Sequence, residues 1–341
     1  MSGTRKPGGK APENDRNEGG IIRSDSRQNG FFRGQILPVE LYYSDTFVLP
    51  LPAGHRFPME KYALLRSALL ASGDFSPEML HLPPAADDAT LALAHCPQYI
   101  QRVSQGLLSA DEQRAIGFPW TPAMVERSRR SAGATLAAAQ AALRDGVAAN
   151  LAGGTHHAHH DRGEGFCVFN DAAVTTRALQ ATGQVQRVAI IDCDVHQGNG
   201  TADILGNDKD VYTCSLHGAR NFPFEKARSH LDIELPDGTG DETYLQALDD
   251  ALAQVMAAGE FDLCIYLAGA DPYVGDRLGR LSLTAQGLLT RDRRVLTTFR
   301  ERDIPVVLAM AGGYARPIED TVEIHAATIR LAKRFARPAS R

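Results

Sequence analysis

Val188-Ala189-Ile190-Ile191-Asp192-Cys193-Asp194-Val195-His196-Gln197-Gly198-Asn199-Gly200 carries both the fold signal and the chemistry of this chain. Four consecutive apolar residues suit a strand covered on both faces, as inside a parallel sheet. The run passes directly into Asp192, Asp194 and His196. In an extended chain, residues i, i+2 and i+4 share one side, so these three point one way while Cys193 and Val195 point the other. Buried charges must be paired or bound to metal. Asp-x-His at a strand end is a good metal motif, with an internally hydrogen-bonded turn as the alternative. Gly198 and Gly200 let the chain turn away sharply.

The same alternation extends outward. Candidate strands are Leu37–Tyr43, Ala148–Ala152, Arg187–Asp192, Asp210–Leu216, Asp262–Ala268 and Ile304–Ala311. Helix-like stretches lie between them at Lys61–Ser72, Pro122–Asp145, Ala172–Thr182, Asp241–Ala258 and Thr284–Arg302. Thr284 and Asp241 are placed as N-caps, and Gly146, Gly183 and Gly259 follow the expected helix ends. This pattern predicts an α/β fold with a single open, mostly parallel sheet and helices on both faces. No internal repeat or linker interrupts residues 36–335, so one domain is expected there, followed by a short basic tail at 336–341.

In such sheets ligands gather at the carboxyl ends of the strands, and three further strand ends are polar. Ala268-Gly269-Ala270-Asp271-Pro272 would bring Asp271 as a third ligand beside Asp194 and His196, although Asp before Pro is also an ordinary turn. Gly153-Gly154-Thr155-His156-His157-Ala158-His159-His160 carries four of the eleven histidines. A His-rich tract is often only a surface metal scavenger, and that reading suits His159 and His160 beside Asp161-Arg162. General acid/base work is favoured for His156 and His157, because the metal site already has three ligands without them. Ala311-Gly312-Gly313-Tyr314 leaves Tyr314 free to turn inward, where a phenol near a metal donates to a developing oxyanion; as a turn residue it would be unremarkable.

Composition bounds the alternatives. The 341 residues are 43% hydrophobic and 23% charged, with a formal net charge of −5, which argues against a basic nucleic-acid binder. Residues 1–35 lack apolar periodicity and hold an excess of three positive charges, so they are read as a disordered extension and the remaining body carries −8. No apolar run approaches the ~20 residues of a membrane helix, and no signal-peptide pattern opens the chain. Five cysteines without a CxxC pair fit a reducing cytoplasm better than a disulfide framework.

Together these segments resemble the zinc-dependent histone deacetylase family of the arginase/deacetylase fold. The resemblance rests, in order, on GGTHHA…GFCVFND, IDCDVHQGNG, VYTCSLHG, AGADP…GDRLGRLSLT and AGGY, across residues 37–330. Ile116-Gly117-Phe118-Pro119-Trp120, Gly275-Asp276-Arg277-Leu278-Gly279 and the His-Gln-Gly-Asn-Gly stretch look like the class IV branch. His55-Arg56-Phe57-Pro58-Met59 is similar to the N-terminal loop of its bacterial and class IV members.

The resemblance implies one catalytic zinc on Asp194, His196 and Asp271. It makes His157 the general base and later acid, His156 a partner oriented by Asp192, and Tyr314 the oxyanion donor. Asn199 stands where class I relatives carry an aspartate, which implies that His157 rests neutral. A structural potassium ion is implied on backbone oxygens of Asp192, Asp194 and His196 with Ser215 and Leu216. Gly165 and Phe166 would line an acyl-lysine tunnel, or else pack the core. The implied substrate is an acyl-lysine protein; acetylpolyamines and long fatty-acyl lysines are the alternatives, and an acidic body suits cationic substrates of either kind. A dinuclear manganese ureohydrolase and a non-catalytic acyl-lysine binder are weaker readings. Neither direct nucleic-acid nor membrane contact is expected.

Overall fold

The computed structural model describes residues 39–52 and 54–337. The expected N-terminal extension, and all of the expected C-terminal tail beyond residue 337, lie outside the described residues. The described residues group as one compact unit.

Eight strands form one sheet: β1 (Leu41–Tyr42), β2 (Leu80–His81), β3 (Val147–Asn150), β4 (Val188–Asp192), β5 (Val211–Gly218), β6 (Leu231–Leu235), β7 (Leu263–Leu267) and β8 (Val306–Ala309). Their order is β2-β1-β3-β8-β7-β4-β5-β6, and every pairing is parallel. The expected mostly parallel sheet is therefore wholly parallel among the described residues.

Side-chain alternation divides the apolar interior in two. Ala189, Ile191, Cys264, Tyr266, Val306 and Leu308 join one buried cluster. Val188, Ile190, Leu263, Ile265, Leu267 and Val307 join the other. With both faces covered, each central strand reads as an uninterrupted apolar run.

Ten helices are described: α1 (Lys61–Ala71), α2 (Asp88–Leu91), α3 (Pro97–Gln105), α4 (Ala110–Ile116), α5 (Pro122–Asp145), α6 (Asp171–Ala181), α7 (Asn199–Leu205), α8 (Asp241–Ala257), α9 (Ala285–Arg300) and α10 (Ile318–Ala332). Thr284 caps α9 by accepting from the Gly287 backbone N–H. Asp241 does not cap α8, whose N-cap is Gly240; its carboxylate instead accepts from the backbone N–H and the hydroxyl of Thr284, tying the starts of α8 and α9 together. None of the described helices is long and apolar enough to cross a membrane.

The order places β3, β8, β7 and β4 side by side in the middle of the sheet. All four run the same way, so their carboxyl ends open at one edge. That edge receives the loops bearing His156 and His157, Tyr314, Asp271, and Asp194 and His196.

Candidate active site

Beyond the ends of β4 and β7, Asp194, His196 and Asp271 present ligating atoms that all lie within 4.8 Å of one another. His196 Nδ1 stands 2.9 Å from Asp194 Oδ1 and 3.3 Å from Asp271 Oδ2. The loops are held from behind. Val195 donates its backbone N–H to Asp271 Oδ1 at 2.9 Å, and Gly312 donates to Asp194 Oδ2 at 2.7 Å. A Cβ on Gly312 would lie 1.9 Å from Asp271 Oδ2 and 2.6 Å from Asp194 Oδ2, so only glycine fits beside these oxygens. From α9, the fully buried Arg291 donates to the carbonyls of Cys193 and Gly269, bracing the β4 and β7 exits.

The electrostatics of this cluster are those of charge held away from water. Burial, reinforced by Asp194, pushes Asp271 up to about 7. Burial opposes protonation of His196, but the Asp194 and Asp271 carboxylates outweigh it and raise the imidazole to about 10. Asp271 Oδ2 is buried and makes no hydrogen bond among the described residues. Two carboxylates and an imidazole converge with an orphaned oxygen, which is the donor set of a metal site with three protein ligands.

The two neighbouring histidines arrive from β3 through Gly153 and Gly154, both with left-handed φ (+77° and +70°). The Asp171 carboxylate fixes this turn, accepting from the backbone N–H groups of Gly154 and Thr155 and from the hydroxyls of Thr135 and Thr155. His156 Nδ1 donates to Asp192 Oδ2 at 2.6 Å. Although burial favours the neutral ring, Asp192 and Asp194 raise His156 to about 9. His157 takes the opposite course: burial, then the positive rings of His156 and His196, hold it well below the usual histidine range.

A hydrogen-bond chain sets the His157 tautomer. Glu164 accepts from Asn199 Nδ2, so the Asn199 amide presents Oδ1 to His157 Nδ1 at 2.6 Å. A carbonyl oxygen only accepts, so Nδ1 carries the proton and Nε2 is left with its lone pair. His159 belongs to this support. It is buried, and its Nε2 lies 3.0 Å from Glu164 Oε1 and 3.1 Å from Asn199 Nδ2. The expectation that His159 is a surface bystander is therefore corrected; its exposed neighbour His160 matches that description better.

Tyr314 is buried at the end of β8, and burial together with Asp194 and Asp271 raises its phenol well above the ordinary value. Lys61 reaches the same loop, with Nζ 5.2 Å from the Tyr314 ring centroid and donating to the carbonyls of Ala311 and Gly313. Gly165 and Phe166 line the cavity with consecutive left-handed φ values of 56° and 67°. A Cβ at Gly165 would lie 2.6 Å from His157 Cδ2. Opposite them Phe222 packs edge-on to His157, ring centroids 4.9 Å apart, and Phe57 joins Phe166 at 5.2 Å. These walls share one cavity of about 570 Å³ with Asp194, His196, His157 and Tyr314. Asp192 pairs in register with Ser215 across β4 and β5, with Leu216 next in line.

Sequence reasoning did not assign Phe222, Glu164, Lys61 or Arg291. Each lies far along the chain from the residue it serves or outside the motif that residue belongs to, so nothing local marked it.

Residues 55–329 match the Histone deacetylase domain family. An uncharacterized protein of Picosynechococcus is 45% identical over 291 residues, covering 85% of this chain and 97% of that protein. Histone deacetylase 2 of Arabidopsis thaliana is 30% identical, over 86% of this chain and 80% of its own. The crystal structure of a histone deacetylase homolog from Aquifex aeolicus superposes with a TM-score of 0.78 at 26% identity, covering 87% of this chain and 84% of that one. The fold is thus that of the arginase/deacetylase group, and the chain belongs to the histone deacetylase family.

Proposed function

We propose that this protein is a zinc-dependent hydrolase that removes acyl groups from lysine side chains. The observation that carries the reading is that Asp194 and His196, backed by the buried Asp271, meet His157 and Tyr314 on one cavity with aromatic walls. The three ligands fit zinc by donor type and number, and the buried Asp271 Oδ2, which makes no hydrogen bond among the described residues, lies 3.3 Å from the His196 ring. When bound there, zinc supplies Lewis acidity toward the amide carbonyl and lowers the pKa of water. One three-ligand cluster among the described residues supports a single ion over a manganese pair.

The chain's own residues provide the rest. His157, neutral and with Nε2 free, takes a proton from the attacking water and returns it to the leaving amine. His156 stays paired with Asp192 beside the reacting centre. Tyr314 remains protonated and donates to the carbonyl oxygen as negative charge develops there. Phe166 and Phe222 exclude water from the acyl-amine stem. A potassium ion beneath the cluster, held by backbone oxygens of Asp192, Asp194 and His196 with Ser215 and Leu216, would steady the same strand ends; the adjacent register of Asp192 and Ser215 supports this. Five free cysteines, four of them buried, favour a reducing cytoplasm.

The test is a series of acyl-lysine substrates from acetyl to myristoyl, assayed with zinc-loaded protein. Turnover of at least one, lost in Tyr314→Phe with zinc content retained, is the expected result. No turnover of any member would contradict the reading.

A further inference from the structure

We infer that the mouth of the acyl pocket selects substrates whose leaving-amine half carries a carboxylate. The inference rests on the deacylase reading of the same site and adds the charge of the substrate to it.

The cavity that ends at Asp194 and His157 is lined toward solvent by Arg56, Arg220, Arg277 and Arg280, and all four are exposed. Its sole lining carboxylate among the described residues is Asp194, on the floor. This is the reverse of the body as a whole, which carries −8 once the 1–35 segment and its excess of three positive charges are set aside from the net −5.

The compensation at the mouth is incomplete. Arg220 and Arg280 share one acceptor, Asp237 Oδ2, at 3.4 and 3.2 Å. Arg277 is pinned by neutral groups: its Nε donates to the Tyr314 carbonyl at 2.9 Å and its second nitrogen to the Arg56 carbonyl at 3.4 Å. Asp276 lies beside Arg277 in sequence, yet its carboxylate is turned to the backbone N–H groups of Leu278, Gly279 and Tyr314. Neither Arg56 nor Arg277 has an ion-pair partner among the described residues. Four guanidinium groups thus face two carboxylates that are already engaged.

A guanidinium held in place by carbonyls keeps its charge and a free edge, and it loses little rotamer entropy when an anion docks. Carboxylates match that planar fork. The same groups repel an acetylpolyamine or a lysine-rich tail, which supplies discrimination by like charge. Arg277 also contacts the backbone carbonyl of Tyr314, so the anion site is tied to the loop that carries the oxyanion donor.

Three acetamides that differ only in distal charge provide the test: 6-acetamidohexanoate, N-hexylacetamide and N-acetylcadaverine. In the wild-type holoenzyme kcat/KM should fall in that order, with roughly tenfold between anion and cation at low salt and a smaller gap at high salt. In the Arg56→Gln/Arg277→Gln double variant the anion-to-cation ratio should fall to about one, whereas Arg302→Gln, remote from the mouth, should keep the wild-type ratio. A cation preference, equal turnover of all three, or a ratio unmoved in the double variant would overturn the inference. If none is turned over, calorimetric affinities of the three compounds decide the mouth: the same order upholds it and any other order overturns it. The deacylase reading fails only if the acetyl-to-myristoyl acyl-lysine series is not turned over either. Acetyl-lysine peptides flanked by Glu or by Lys then separate the sources of the anion. A Glu preference points to an acidic protein segment, a preference for the free hexanoate points to a small acid, and a Lys preference overturns the inference.

Discussion

The floor and the mouth of the pocket are built on opposite terms. The floor gathers Asp192, Asp194 and Asp271 at the ends of adjacent strands, buried and fixed by backbone donors. The mouth gathers four exposed arginines, Arg56, Arg220 and the pair Arg277 and Arg280, from three loops that are distant in sequence. In the floor, low dielectric makes each charge depend on its neighbours, so losing one partner is costly. At the mouth, solvent screens each charge and single losses are mild. On the proposed reading, chemistry belongs to the strand ends and selection to the loops.

That contrast sets an order of effects. Asp271→Ala should abolish stable zinc binding and lower kcat/KM by more than about 10³-fold, as read by metal analysis and steady-state assay together. Tyr314→Phe should lower kcat by about 10²–10³-fold while zinc content stays at the wild-type level. Glu164 is the next step outward. Glu164→Leu removes the acceptor that orients Asn199 and should cost roughly tenfold in kcat, whereas Glu164→Gln keeps an acceptor and should recover most of it. If both variants lose equally, Glu164 serves packing and not the tautomer.

The smallest effect is a shift and not a loss. Asn199→Asp places a carboxylate beside His157 Nδ1 and favours the imidazolium, so the His157 pKa rises from its depressed position. The base must be neutral to work, and activity is gained as pH climbs through that pKa. The acidic limb of the kcat/KM profile should therefore move upward, by roughly one unit. An unmoved limb would separate Asn199 from the proton chemistry.

The floor was legible in the sequence because its information is local. β4 ends at Asp192 and the chain bends through Asp194–His196, yet Cys193 and Val195 join Ala189 and Ile191 in one core cluster, so the period-two reading still separates Asp194 and His196 from them. The central strands were legible for the same reason, being apolar without interruption. The edges were not: β2 has two residues, and Leu231–Leu235 of β6 alternates with charge and is only half-buried, so neither stands out from a loop. Gly198 and Gly200 signalled a turn, and they also conceal the short α7 that starts at Asn199. Pro317 likewise masked α10, although proline at a helix start removes no intrahelical hydrogen bond.

The mouth shows that net charge does not give local charge. Arg56 and Arg277 lie in recognisable segments, yet a body charge of −8 points toward cationic substrates, while the charges that line the cavity mouth have the opposite sign. Net charge sums over the whole surface, whereas a substrate meets the field at one opening. His159 misled in a similar way. Beside Asp161-Arg162 it read as surface, but the loop folds it inward onto Glu164 and Asn199.

Titration of metal-free protein with zinc, followed by turnover of an acyl-lysine reporter, tests the role of the Asp194–His196–Asp271 cluster most directly. Turnover should be absent without metal, rise with added zinc and level off at about one equivalent per chain, as a single three-ligand site requires. Undiminished turnover in the metal-free protein, or a plateau only at two equivalents, would contradict it.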